Sequence, residues 1–429
     1  MRLNIVVWAY TFWLVAIFGA LYVTHGENPE NALQLALVCG VIPGGLQLLL
    51  LGVEWHGLVA PTKMWLVFLL IVLLSYLVGA TDPQLAPGPV GTLAVPPAWT
   101  PLVYTVNVVF ILGIGTLVAG CPDRRLLRSI AGLYCVLLTP FLVYVDLTGA
   151  RVWGNRLEAN GLQANMWGGI GLTVCLAALA RKPGPIAVLG FATGMATILA
   201  ADSRECLLAV AAALLVIGAE NWRAMMKRSR LLTVLAGTCA ILVVAGVLLD
   251  PYVINAIHYI SADVLALNDP NRGVNSGFTG RTGIWAAAFD VWLKSPLLGV
   301  GYRQHERFLP DGIPGHNAYL AMLADTGIVG LVWYLALFMC SLVASLGIGD
   351  QRTRRFVVAI IVARFIGGFF DRITINGGDV YSLFFIICCS VALTDQSLRK
   401  VAFIVRGKAP PLPASLFLPD VLPPPTSSL

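Results

Sequence analysis

Apolar runs recur along almost the whole chain. They lie near residues 5–23, 31–51, 62–80, 101–119, 127–149, 162–180, 185–201, 205–219, 230–249, 317–347, 356–370 and 379–395, with shorter polar stretches between them. A bilayer core takes about 20 apolar residues per helix, so the pattern predicts an all-α polytopic membrane protein of about twelve transmembrane helices. The first run follows Arg2 directly, lacks a small-residue cleavage site and is long enough to span, so a retained helix is expected there and not a cleaved signal. The expected organisation is transmembrane helices one to nine over 1–249, an extracytoplasmic loop or cap over 250–316, helices ten to twelve over 317–408, and a disordered proline-rich tail over 409–429. Internal repeats are not evident.

Two stretches between runs are long. Residues 81–100 are rich in Pro and Gly and uncharged after Asp82, which predicts an ordered loop over the membrane surface. Within the cap, RTGIWAAAFDVWLKS spaces Trp285, Phe289 and Trp292 by four and three residues, one face of an amphipathic helix. That aromatic face suits either the headgroup zone or packing on the protein.

Composition agrees with lipid as the main solvent. Hydrophobic residues make up 58% and charged residues 12%, with a mean hydropathy of +0.82, whereas soluble domains carry about 25% charged residues. The net charge of +6 therefore reads as topology and not as affinity for nucleic acid. With a cytoplasmic N-terminus, 18 of the 28 basic residues fall on inside segments, nine outside, and Arg364 within a span. That asymmetry satisfies the positive-inside rule and predicts that both termini are cytoplasmic. Eight cysteines fall in apolar runs and Cys121 sits beside Asp123 and Arg124, without metal-ligand spacing or a loop pair suited to a disulfide, so they are expected to be packing residues.

The outside basic set is eight arginines and one lysine. A guanidinium is planar, permanently charged and bidentate, which matches phosphate geometry, so together these residues point to an extracytoplasmic anion site. In ILAADSRECLLAV, Asp202 or Ser203 can cap a helix whose first turn holds Arg204. A helix N-terminus already attracts anions, and an arginine there adds to it. Arg281 repeats the pattern after Gly280, and Arg151 and Arg156 flank the loop VWGNRLEANGLQAN. His316 follows Pro314 and Gly315 at the mouth of a span that Asn317 can cap. A helix N-terminus and neighbouring arginines favour the neutral imidazole, the form a general base for a sugar hydroxyl requires. The outside loops contain no D-x-D acid pair, and Walker and dinucleotide glycine patterns are absent. Metal-assisted and nucleotide-driven chemistry are therefore not expected, and no cofactor is.

The ordered set S-R (203–204), G-R-T-G-I-W (280–285), S-P-L-L-G-V-G-Y (295–302), H-N-A-Y-L (316–320) and D-T-G-I-V-G-L (325–331) resembles the O-antigen ligase superfamily, which also contains O-antigen polymerases and protein O-oligosaccharyltransferases. The resemblance implies a type-C glycosyltransferase fold (GT-C) acting in the periplasm, without a metal, on glycans linked to undecaprenyl diphosphate. The chain would then sit in a bacterial inner membrane among membrane lipids, with a lipid A–core sugar as acceptor. On this resemblance His316 matches the family's essential histidine, and Arg204 and Arg281 its two essential arginines. Arg151 and Arg156 are further candidates for the diphosphate, and Asn317 for orienting His316. The family often has glycine after the first arginine, where this chain has Glu205. Ligase leads over polymerase, because the length, the compact cap and the motif set look more like a ligase. From another class, a transporter or flippase of lipid-linked sugars would show repeats, broken helices and buried ionisable groups; Arg364 and Asp371, seven residues apart, are expected to be an ion pair instead.

Overall fold

The computed structural model describes residues 1–23, 39–81, 100–152, 156–159, 164–226, 281–309, 316–371, 375 and 380–408. The apolar run 230–249, most of the 81–100 loop, cap residues 250–280 and 310–315, and the tail from 409 lie outside the described residues.

The elements in order are α1 (Arg2–Val23), α2 (Val41–Leu50), a 3₁₀ turn (Trp55–Leu58), α3 (Val59–Thr81), α4 (Thr100–Ala119), α5 (Leu126–Thr148), β1 (Ala150–Val152), β2 (Arg156–Glu158), α6 (Ala164–Ala178), α7 (Pro185–Ala200), α8 (Arg204–Met226), α9 (Arg281–Lys294), a second 3₁₀ turn (His305–Phe308), α10 (Ala318–Ser345), α11 (Gln351–Gly367) and α12 (Val380–Lys408). Each predicted run except 230–249 thus coincides, wholly or in part, with a helix. Among the described residues, the helical stretches Arg2–Ala20, Val59–Gly79, Leu126–Thr148 and Ala318–Ser345 are long and apolar enough to cross a membrane, and five further apolar helices are shorter. The all-α expectation needs one correction: β1 and β2 pair antiparallel, with Val152 opposite Arg156 and Arg151 opposite Leu157. Part of the stretch read as a loop is therefore paired strand, and Leu157 within it is fully buried.

The bundle has an inner helix and a lipid-like exterior. Residues 381–390 of α12 are buried without a break, as a helix that is apolar all round must be when it lies inside a protein. It packs against α3, α4, α10 and α11. Trp65 of α3 donates to Ser390 Oγ at 3.0 Å, and Phe68 stacks on Trp333 of α10 with centroids 4.3 Å apart. The opposite face of α3 turns Leu66, Leu70, Leu73 and Leu77 outward, each more than half exposed. Leucines at that helical spacing on an outer surface are what a lipid environment permits. Helices α6 and α7 approach closely where Gly171 faces Gly194; a Cβ on either would fall within 3 Å of the other's carbonyl oxygen. This small-residue contact runs the two helices antiparallel, so the start of α6 and the end of α7 share one end of the bundle.

Helix α10 is broken. At Gly327 the backbone turns to φ 65°, ψ −168°, a region open essentially only to glycine. In a continuous helix the N–H groups of Ile328 and Val329 would bond to the carbonyls of Ala324 and Asp325. Here those carbonyls accept from Val300 N and Gly301 N, both at 3.0 Å, while Ile328 N and Val329 N donate to Pro296 O at 2.9 Å and Leu297 O at 3.3 Å. The segment 296–301 is thus inserted into the helix ladder, and each of these four backbone groups has a new partner. Contact is too close for side chains: a Cβ at Gly299 would lie 2.3 Å from the Asp325 carbonyl carbon, and one at Gly327 2.2 Å from that of Leu297. This accounts physically for the glycines of both motifs.

Gly327→Ala is therefore expected to cost about 1–3 kcal/mol from backbone strain alone, and more from the clash. Thermal unfolding of the detergent-solubilised protein should show a clear fall in Tm. Gly113→Ala, at a helical glycine whose added Cβ meets nothing within 4 Å, should leave Tm unchanged or slightly higher.

Candidate active site

Helices α8, α9 and α10 begin, and α11 ends, at the same end of the bundle. Helix α8 starts at Arg204, α9 at Arg281 and α10 just after His316 and Asn317; α11 returns to that end and stops at Gly367. The turn after α11, residues 368–371, gathers them. Its Gly368 carbonyl accepts from Ala318 N at 2.7 Å, and its Phe370 carbonyl accepts from Arg281 Nη1 at 3.1 Å. The start of α10 is further held by Tyr319, whose hydroxyl donates to Phe365 O at 2.6 Å and whose ring lies 4.6 Å from that of Phe369. Helix α8 packs along α11, and Asp371 is near enough to act electrostatically on Cys206 in the first turn of α8. Arg281 and the chain just after His316 are therefore bonded to one turn, and the start of α8, which carries Arg204, stands beside it.

Local backbone geometry at these starts is unusual. Asp202 (φ 50°), Arg303 (φ 58°) and His316 (φ 44°) are the described non-glycine residues with positive φ. Two of them introduce α8 and α10. A left-handed residue costs energy unless its surroundings enforce it. At His316 the enforcement comes from both sides: Asn317 Oδ1 accepts from Tyr319 N and Leu320 N, both at 3.0 Å, and Ala318 N is fixed to α11. His316 is half-buried and Asn317 buried, as befits a cap facing inward.

The surroundings are not uniformly positive. Glu205 follows Arg204, and Asp371 faces α8. Arg364, only 1% exposed, reaches from α11 to Asp371 with Nη1 3.6 Å from Oδ2, and its guanidinium lies 5.3 Å from the Tyr381 ring centre. The expected ion pair exists, although Asp371 stands in the turn beyond the helix and not on it. Its carboxylate is thereby anchored beside the cluster. The β1–β2 hairpin carrying Arg151 and Arg156 contacts α6 and α7, and so belongs to the same end of the bundle as Arg204.

Helix α9 lies against α10, with Ala288 and Val291 buried on Ala324, Val300 and Leu309. The aromatic stripe read from the sequence is divided: Trp285 and Trp292 are half-buried and Phe289 is exposed. Trp292 Nε1 donates to Pro296 O at 3.0 Å, tying α9 to the segment that fills the break.

Sequence reading missed the pair His305–Asp325. Both are buried, with His305 Nδ1 2.8 Å from Asp325 Oδ1. The same oxygen accepts from Gln304 N at 3.0 Å and His305 N at 2.9 Å. Burial by itself lowers the imidazolium pKa, but the Asp325 carboxylate, by charge and hydrogen bond, outweighs it; Glu306 adds to the rise and Arg303 opposes it, so the His305 pKa stands above its ordinary value. Arg303 lies over the Tyr104 ring at 4.5 Å, which accounts for one outside arginine by packing. The turn 368–371 was also missed; the glycine pair at 367–368, ahead of Asp371, was its signal.

Residues 189–335 match the family model described as O-antigen ligase. That range takes in Arg204, Arg281, the 295–302 segment, His316 and the break at Gly327. A search of curated proteins finds no match.

Asn317→Ala should cost about 1 kcal/mol by uncapping α10, visible as a lower Tm, and should loosen the segment that holds His316. The His305 pKa is raised in the folded state, so the stabilisation from its pairing with Asp325 is complete below the unfolded pKa near 6.5 and is lost as pH rises through the folded value. Tm measured against pH is expected to fall across that window in the native protein and to stay flatter in His305→Gln.

Proposed function

We propose that this chain, a member of the O-antigen ligase and polymerase superfamily over residues 189–335, transfers a glycan from undecaprenyl diphosphate to a sugar hydroxyl of lipid A–core. The supporting observation is the convergence of Arg281 and the His316 segment on the 368–371 turn, with the start of α8 beside it. In this reading the chain is a bacterial inner-membrane protein of about twelve spans and GT-C type, with cytoplasmic termini and a periplasmic site.

The arginines bind the donor diphosphate. Their fixed positive charge matters most as the glycosidic C–O bond breaks and the electron pair leaves with the diphosphate oxygen. His316, neutral, accepts the proton of the acceptor hydroxyl, and that oxygen attacks the anomeric carbon from the opposite face. One displacement inverts the anomeric centre and yields glycosylated acceptor and undecaprenyl diphosphate. Arg151 and Arg156, on the neighbouring hairpin, serve the same anion, and Asn317 orients His316 through the cap. No metal is assigned a part, because the sequence offers no paired acids of D-x-D type outside the membrane. The broken α10 does not favour transport: its freed backbone groups bond to 296–301, whereas a transporter turns such groups toward its substrate.

The test is transfer by the purified protein from undecaprenyl-diphosphate-linked O-antigen to lipid A–core, with chelator present. His316→Ala should abolish transfer, and Arg204→Ala and Arg281→Ala should each lower the rate by roughly 10²–10³. Near-normal turnover in both arginine variants would refute the assignment. Lengthening of the lipid-linked glycan with no transfer to core would make the protein a polymerase acting through the same residues.

A further inference from the structure

The other end of the bundle holds a second feature that the proposed transfer does not use. Helix α7 runs from Pro185 to Ala200, beside Arg204, and α11 runs from Gln351 to Gly367 at the active-site turn. Their first residues therefore lie far from the site, about 1.5 Å per residue down each helix. There, between the starts of α1, α5 and α11 and the α6–α7 turn, is a cavity of about 440 Å³ whose lining includes Asn4, Trp8, Arg128, Arg181, Lys182 and Arg352. Four basic side chains line it, and no carboxylate does.

Among the described residues, one of these four cations, Arg128, has an acidic partner, Asp350, from outside the lining. Arg181 is pinned to the wall by its Nη1 bond to Gly132 O at 2.8 Å. Among the described residues, Arg181, Lys182 and Arg352 form no ion pair. Cations gathered around a concave pocket raise the local concentration of anions.

The adjoining surface indicates which anion. From the mouth of the cavity, α1 presents Trp8 and Phe12, 43% and 57% exposed, with stacked rings 5.2 Å apart. They continue one turn further into the span, as an acyl chain would. A free phosphate or a soluble anion would make no use of that strip. We propose that this cavity seats the phosphate headgroup of an anionic phospholipid, with Arg181, Lys182 and Arg352 on the phosphate and a chain lying along Trp8 and Phe12.

The full chain in detergent, mixed with equal amounts of phosphatidylglycerol and phosphatidylcholine of the same chain length, is examined by native mass spectrometry. The native protein should retain phosphatidylglycerol preferentially, on the order of tenfold. Arg181→Gln with Lys182→Gln should lose that preference, and Trp8→Ala should retain less of either lipid. Should the double variant fail to fold, Arg352→Gln alone is expected to weaken the preference. Equal retention of the two lipids by the native protein, or an unchanged preference in the charge variants, overturns the proposal. So does displacement of the lipid by excess inorganic phosphate, which would identify a free anion as the occupant. None of these readouts depends on glycan transfer.

Discussion

The insertion of residues 296–301 into the break of α10 is the constraint on which the active-site end depends. At membrane depth an unpaired backbone N–H or carbonyl costs several kcal/mol, so a helix can be interrupted there only if something replaces its bonds. At the break two carbonyls and two N–H groups are each transferred to the inserted segment. Because α9 leads directly into that segment and α10 begins above the break, the same bonds set the heights of Arg281 and His316. The 368–371 turn then fixes them laterally, through Phe370 O and Gly368 O.

Charge is distributed to suit the two ends. At the active-site end, arginines stand among carboxylates that are themselves held: Asp371 by Arg364, and Asp325 by His305 and two backbone amides. Held acids keep the cluster from being a uniform positive field. At the far end one concavity is lined by four basic side chains and no carboxylate, while beside it Arg124, Arg125 and Arg128 pair with Glu54, Asp123 and Asp350. Between the two, the buried part of α12 and the aromatic contacts of α3 and α10 make a packed apolar body.

Much of this was legible in the sequence, and the unread parts have physical causes. Apolar runs located the helices because lipid and a buried bundle both demand them. The cap at Asn317 followed from its side chain and position. Arg364 and Asp371 were legible as a pair from their spacing, but the glycine pair at 367–368 stops the helix before Asp371. The break in α10 was hidden, because LADTGIVGL stays apolar through it and hydropathy does not register which carbonyl an amide chooses. For the same reason His305 looked ordinary: its partner lies twenty residues on, just ahead of that break. Strands of three residues have no period to detect, so the hairpin at Arg151 and Arg156 read as loop.

The break also has a consequence for how the chain is made. A ribosome delivers residues 296–301 before residues 324–329, and domains form as they emerge. The filling segment has thus already been made, behind α9, when the first half of α10 arrives, and the loop to be closed between Val300 and Ala324 is short enough for its entropy cost to be modest. Synthesis in this order makes the partners of the opened ladder available before α10 itself is complete. A circular permutant that began between the two segments would reverse the order, though its finished fold would contain every bond described above.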